Sequence, residues 1–333
     1  MIKLHVVTDA PSMSFASFIK THEPYSIALD GYVTGGPKLR RGDDGLAKKY
    51  PGPHANFNHH EDCDRLATRA TCAQTLMAIR QGLFTLFRDD KGPRLNAYVN
   101  DCDEDVCTSW FLLKHHHLVQ STMNPMLNRL VAMEDALDST AGAYPFPADL
   151  PTLSELNWVF EPYRDFRSNG GLSLRKPLQF ANVIELVEHR IMAHITGAGK
   201  SVPLDTRYER IGGGTGWTMV KELGANARTG MFADGIAAYV SVRDRKDEKF
   251  TYTVGKMSPF VPFDVELVLE RLNDAELDKR HRLDPMVNSL REFWGGSDSV
   301  GGSPRVGGSV LTSDEVEEVV KNTLQESEFK VER

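Results

Sequence analysis

The sequence predicts an α/β protein: an N-terminal metal-binding α/β domain plus a smaller C-terminal α/β domain with a glycine-rich loop. Three observations carry that prediction. Short strand-like runs at residues 25–29, 55–57 and 97–99 end in polar or acidic bursts, and the last two lead into helical patterns. Open α/β sheets place their sites just past the carboxyl ends of such strands. The second half then changes texture, with strands, charged turns and repeated glycines. A chain of 333 residues is also long for one hydrophobic core. The expected boundaries are 1–197 for the first domain, 200–324 for the second and 325–333 for a charged, frayed tail.

Composition narrows the function. The chain is 41% apolar and 26% charged, with a net charge of −7. That charge argues against long duplex nucleic acid as a partner, which calls for a broad basic surface. A short anionic substrate stays open, because a metal ion reverses the sign at a pocket. The opening residues carry no secretory pattern, and no apolar run reaches the roughly twenty residues of a membrane span. Cys63, Cys72, Cys102 and Cys107 form no CxxC pair and read as reduced thiols. A cytoplasmic location with no membrane partner is the expectation, and a homo-oligomer is compatible with it.

Taken in order, residues 12–20 read as a short helix and residues 25–29 as a buried strand. Asp30-Gly31 follows, where Asp30 reads equally as a metal ligand or as a turn residue. Residues 35–53 form a glycine- and proline-rich loop long enough to be functional. Asn58-His59-His60-Glu61 comes next. Adjacent histidines flanked by Glu61, Asp62 and Asp64 supply the mixed imidazole and carboxylate set that suits manganese, iron or zinc. Leu66, Ala70, Ala73, Leu76 and Met77 mark a packed helix over 66–79. Arg65 and Arg69 fall near its start, as anion contacts or as solvated charges.

Asp101, Asp103 and Asp105 alternate with Cys102 and Glu104. In a loop this spacing converges carboxylates on one cation; in a strand the same three line one face. Carboxylates this close repel unless a cation sits among them. A buried helix begins near Trp110, and His115-His-His117 reads as an exposed helix end. A third helical run over 127–136 leads to Asp135 and Asp138, which share a face as ligands or caps. Residues 144–157 are proline-rich and read as a surface excursion, and residues 178–196 form an amphipathic helix stopped by Gly197 and Gly199.

In the second half, Gly212–Gly216 punctuate an expected helix over 217–223. Residues 236–242 and 250–254 read as strands, and residues 265–272 as a helix. Three Gly-Gly-Ser units start at Gly295, Gly301 and Gly307, a six-residue period. Glycines let backbone amides approach an anion, and Arg305 adds a fork suited to phosphate, so Gly301, Gly302, Ser303 and Arg305 are candidate substrate-binding residues. The bland alternative is a structural glycine turn. Thr312-x-x-Glu315 reads as a capping box for a last helix over 314–324.

Together these pieces resemble the DHH phosphoesterase superfamily. Asp103-x-Asp105-x-x-Thr108-Ser109 is similar to its aspartate-x-aspartate motif, and Asn58-His59-His60 to the motif that names it. Asp135 or Asp138, with Ser139 to Gly142, resembles its later metal aspartate; Gly301–Arg305 resembles its C-terminal glycine-rich loop. Two departures stand out: Asn58 replaces an aspartate, and the His-His element precedes the Asp-x-Asp element, as in a permuted, divergent member.

The resemblance implies a metal-dependent hydrolase of a phosphoester or phosphoanhydride, acting on a nucleotide or short oligonucleotide. One or two divalent ions, Mn²⁺ first and Fe²⁺, Zn²⁺ or Mg²⁺ next, would be held by His59, Asp103, Asp105 and Asp135, with Asp30 and Asp101 in reserve. His60 would protonate the leaving oxygen, and it and Asp103 are the candidate catalytic residues. The alternatives are a metal-dependent hydrolase of a carbon–nitrogen bond and a non-catalytic nucleotide sensor with a degenerate site.

Overall fold

Strand β2 (Ser26–Leu29) is buried at all four positions, which marks it as the middle of a sheet covered on both faces. A computed structural model describes residues 1–9, 12–42, 52–120, 124–245 and 247–331, with side chains to residue 325. Most of the tip of the glycine- and proline-rich loop, residues 43–51, lies outside the described residues. The protein is mixed α/β and resolves into two compact units. One comprises Met1–Gly142 and Leu150–Pro203, the other Ala143–Asp149 and Leu204–Arg333.

In the first unit β1 (Ile2–Val6), β2, β3 (Lys38–Arg40), β4 (His54–Phe57) and β5 (Leu95–Val99) form one sheet in the order β1-β5-β2-β4-β3. All pairs are parallel except the edge pair of β3 with β4. The register sets Ser26 opposite both His54 and Asn96. From β4 the chain runs through helix α1 (Thr71–Arg80) and returns on the far side of β2 as β5. Strand order therefore reverses around β2, and the segments leaving β2, β4 and β5 open at the same carboxyl edge.

Three further helices back this sheet: α2 (Glu104–Lys114), α3 (Pro125–Ser139) and α4 (Pro177–Ile195). Helix α2 is buried from Asp105 to Leu113, so it is a core element whose buried polar residues lie in its first two turns. The helix expected over 66–79 begins five residues later, at Thr71. Asp64 folds the intervening chain into a turn, its carboxylate accepting from Leu66 N–H at 3.0 Å and its carbonyl from Thr68 N–H at 2.9 Å. The proline-rich excursion expected over 144–157 gives way from residue 151 to a helix, Pro151–Val159, because Pro151 occupies a first-turn position where its missing N–H is harmless.

The second unit is built on a six-stranded sheet. Its strands are β6 (Tyr208–Gly214), β7 (Trp217–Glu222), β8 (Ala238–Asp244), β9 (Phe250–Lys256), β10 (Gly295–Gly296) and β11 (Val300–Gly302), in the order β6-β7-β8-β9-β11-β10. Trp217, Met219, Val240, Val242, Tyr252 and Val254 pack with Val268, Leu272, Val316 and Val320 in one apolar core. Those last four come from helices Val265–Leu283 and Ser313–Val331. The helix expected over 217–223 is strand β7, paired antiparallel to β6 and parallel to β8. The expected capping box forms: Thr312 N–H donates to Glu315 Oε2 at 2.7 Å, and Glu315 N–H reaches Thr312 Oγ1 at 3.4 Å. No helix among the described residues is long and apolar enough to cross a membrane.

Candidate metal centre

The carboxyl edge of the first unit's sheet gathers the site. Asp30 directly follows β2 with φ of +48°, a left-handed conformation uncommon outside glycine and asparagine, and Gly31 continues the turn at φ +81°. Asn58, His59 and His60 follow β4. Asn58 is fully buried, donating to the Val33 and Gly35 carbonyls at 3.2 and 3.1 Å while its Oδ1 accepts His60 N–H at 3.1 Å. Its amide donates where an aspartate would have no proton to give. Asp105 lies in the first turn of α2, after β5, and Asp138 in the last turn of α3.

Around His59 these segments converge. The ring is fully buried, and its Nε2 stands 2.6 Å from Asp138 Oδ2 and 3.6 Å from both Asp105 Oδ2 and Asp30 Oδ1. The Asp138 contact is close but lacks hydrogen-bond geometry, so neither ring nitrogen, nor Asp138 Oδ2, makes a hydrogen bond among the described residues. A buried imidazole with no hydrogen bond on either nitrogen is costly to keep unless something else binds it. Two donors about 2.1 Å from one ion, at angles of about 90–110°, stand about 3.0–3.4 Å apart. The observed spacings bracket that range. Asp30, His59 and His60 form one group able to hold a cation, and His59, Asp105 and Asp138 another, with donor atoms within 4.8 Å of one another in each.

A second layer fixes these carboxylates. Asp105 Oδ2 and Oδ1 accept the Thr71 and Cys72 N–H groups at 2.7 and 2.6 Å, so the N-terminus of α1 clamps it. Asp30 Oδ1 accepts Thr71 Oγ1–H at 3.1 Å and His60 Nε2–H at 2.8 Å. Arg65 Nη2 donates to the Asp138 carbonyl at 2.8 Å and approaches Asp138 Oδ1 at 3.4 Å.

Charge in this pocket is unbalanced. Burial, reinforced by Asp30 and Asp138, pushes the Asp105 carboxyl well above the ordinary range. Burial with Asp30, Asp101, Asp138 and Asp105 nearby does the same to Asp103. Burial also works against Asp30, but the His60 hydrogen bond and the two imidazoles outweigh it and hold that carboxyl low. The Asp30 hydrogen bond in turn raises His60 above its usual value, against burial. Without a cation, the acidic groups cannot all ionise.

The remaining candidates fall outside this set of donors. Asp135, named from the sequence as a ligand, accepts Ala70 N–H at 2.7 Å on one oxygen and lies 3.3 Å from Arg69 Nη1 with the other. Its neighbour Asp138 is the one that reaches His59. Asp103 is the N-cap of α2, accepting Val106 N–H at 2.9 Å, and Asp101 Oδ1 accepts Cys102 N–H at 2.6 Å. In the second unit, a side chain at Gly301 would meet Leu269 Cδ1 at 2.4 Å, and one at Gly302 would meet the Tyr252 carbonyl at 2.6 Å. Ser303 is buried and its Oγ accepts Tyr252 N–H at 3.0 Å. Those three positions therefore carry sheet packing, and Arg305 alone of the four is exposed. Sequence reasoning missed Thr71, whose threonine at a helix start was an available signal.

The chain matches no family model, no curated protein and no solved structure. What the site does must therefore be read from its own geometry.

Proposed function

We propose that the protein is a metal-dependent hydrolase of a phosphoester or phosphoanhydride, with a nucleotide or short oligonucleotide as its substrate class. The observation that carries this reading is the buried His59, with no hydrogen bond on either ring nitrogen, facing Asp30, Asp105 and Asp138. An imidazole with carboxylates suits an ion of the manganese class. When bound, such an ion lowers the pKa of water and offsets phosphate charge.

The chain's own groups divide the remaining work. Asp30 and Asp105 are pre-oriented by Thr71 and the first N–H groups of α1, so neither reorganises on binding. Asp30 accepts a hydrogen bond from His60 and raises its pKa above the ordinary imidazole value, which favours the protonated ring. His60 is also partly exposed, with 33% of its side chain accessible, so its proton can reach a leaving oxygen. Asp103 lies within the electrostatic reach of the same carboxylates.

Elemental analysis of the purified protein and of Asp105→Asn tests the reading, followed by turnover of a phosphodiester and a nucleotide panel with added Mn²⁺. Stoichiometric metal lost in the variant, together with metal-dependent phosphate release, is the expected result. Protein that takes up no metal after Mn²⁺ reloading sinks the proposal. Metal uptake with hydrolysis of amides but not phosphoesters would transfer the site to carbon–nitrogen chemistry.

A further inference from the structure

One cation at the same sheet edge is held by contacts that its position in the fold alone does not require. After β1, Val7 N–H still donates to the Val99 carbonyl at 2.9 Å, so Thr8 and Asp9 leave the sheet beside the Asn100–Asp101 segment. Thr8 is buried, at 2% exposure. Its hydroxyl donates to the Arg175 carbonyl at 2.5 Å, and its own carbonyl accepts Arg175 Nε–H at 2.9 Å. The hydroxyl also lies 3.1 Å from Asp9 Oδ1. Two reciprocal bonds between residues far apart in sequence thus fix both the backbone and the side chain of Arg175.

The backbone at Arg175 is strained. It sits at φ 49° and ψ 37°, just after the 3₁₀ turn Gly171–Leu174, in a region where glycine or asparagine is at ease. The Arg175 guanidinium lies over the Phe180 ring at 5.8 Å, and the residue is exposed. No carboxylate among the described residues forms an ion pair with it, and with Nε bound to Thr8 the two Nη groups remain as the free prong of the fork. Asn100 Nδ2, on the segment beside Thr8, donates to the Gly31 carbonyl at 3.3 Å, so the Thr8–Arg175 clasp and Asp30 leave the sheet at the same carboxyl edge.

We propose that Arg175 is the anion-binding residue of this site, its Nη groups taking the oxygens of a substrate phosphate while Thr8 holds the fork in place. The proposal rests on the phosphoester reading above and names the group that would set its preference for a phosphorylated substrate.

Pyrophosphate is the probe, titrated calorimetrically into the full chain reloaded with Mn²⁺, with metal content measured on the same samples. Arg175→Ala is expected to weaken pyrophosphate at least about tenfold, the loss of a charge-assisted pair of hydrogen bonds, with Mn²⁺ stoichiometry unchanged. Thr8→Val, which removes only the hydroxyl, is expected to weaken it by a few-fold. Arg175→Lys should recover part of the affinity by restoring the charge, a recovery that a purely structural clasp would not produce. Pyrophosphate binding within twofold of wild type in Arg175→Ala overturns the proposal, as does a Mn²⁺-loaded wild type that binds no pyrophosphate. The two readings fail separately. Absent Mn²⁺ uptake rejects the metal centre, and the same titration of metal-free protein still decides whether binding depends on Arg175.

Discussion

Each unit buries charged carboxylates, and the two units deal with them differently. In the second unit Glu276 is fully buried and every bond it needs comes from the chain. Oε1 accepts Arg280 Nε–H at 2.8 Å and Val310 N–H at 3.0 Å; Oε2 accepts Ser309 Oγ–H at 2.5 Å and Trp294 Nε1–H at 3.3 Å. In the first unit Asp30 and Asp105 also receive donors, yet with Asp138 they face an imidazole that makes no hydrogen bond of its own. The desolvation penalty of a buried carboxylate is the same in kind at both places. Where the chain supplies all the compensation, the group is architecture. Where an imidazole is left facing carboxylates across 2.6–3.6 Å, the arrangement is one able to hold a metal ion.

The sharpest way to break this comparison is to remove one member from each cluster. His59→Ala is expected to lower Mn²⁺ affinity at least about 100-fold, since even changes in outer-shell partners cost 10–100-fold. Activity should vanish with the metal while the metal-free fold persists, as read by equilibrium dialysis and circular dichroism. Glu276→Gln should do the reverse. It turns an amide toward donors and leaves Arg280 without its charge partner, so unfolding in denaturant should become easier by about 3 kcal/mol with Mn²⁺ uptake intact. Metal loss in Glu276→Gln, or unchanged metal in His59→Ala, would erase the distinction.

A pH series sharpens the contrast. His60 has a folded pKa above its ordinary 6.5, so its contribution is complete below that value and is lost as pH rises through the folded pKa. Asp103 and Asp105 are also raised, so the metal-free fold binds more protons than the unfolded chain above the ordinary carboxylate pKa of 3.8 and loses stability as pH climbs. Asp30, held low, acts the other way only below about that ordinary value. Metal-free protein should therefore melt a few degrees higher at pH 5.5 than at pH 8. Mn²⁺ should reverse the order, because it displaces those protons. A metal-free melting temperature that rises with pH across this window would contradict the assigned environments.

The same contrast explains what was legible in the sequence. The α/β class and the strand ends at Leu29, Phe57 and Val99 could be read because short apolar runs give way abruptly to polar residues. His59, Asp30 and Asp105 stood out because they are ligand types at those strand ends. Asp135 and Asp138 could not be separated, since three residues along one helix face carry the same chemistry and only the docking of α1 decides between them. Ala70 N–H takes the first and His59 the second. Trp217–Glu222 is too short for its pattern to decide between helix and strand, and its pairing with Tyr208–Gly214 and Ala238–Asp244 decides it. Glycines at 301 and 302 look like an anion loop in sequence, whereas Leu269 and the Tyr252 backbone demand them in space.

The smallest expected effects come from two helix caps. Thr312 caps the last helix locally, through Glu315 three residues away. Helix α1 has no such cap: Ala70 shows no side-chain cap bond, and distant Asp135 and Asp105 take the first N–H groups instead. Asp135→Ala should therefore cost about 1 kcal/mol, and Thr312→Ala about 1 kcal/mol or less, both measured by denaturant unfolding. Mn²⁺ stoichiometry should stay at the wild-type value in both. If Asp135→Ala also released the metal, then Asp135 would belong with the ligands, and the line drawn between carboxylates that cap and carboxylates that face His59 would have to move. Thr312→Ala has no such route to the metal, because its partners all lie in its own turn or on Lys279 beyond Glu315. A local cap changes stability alone, whereas a cap reached from another helix ties the start of α1 to the geometry of the site.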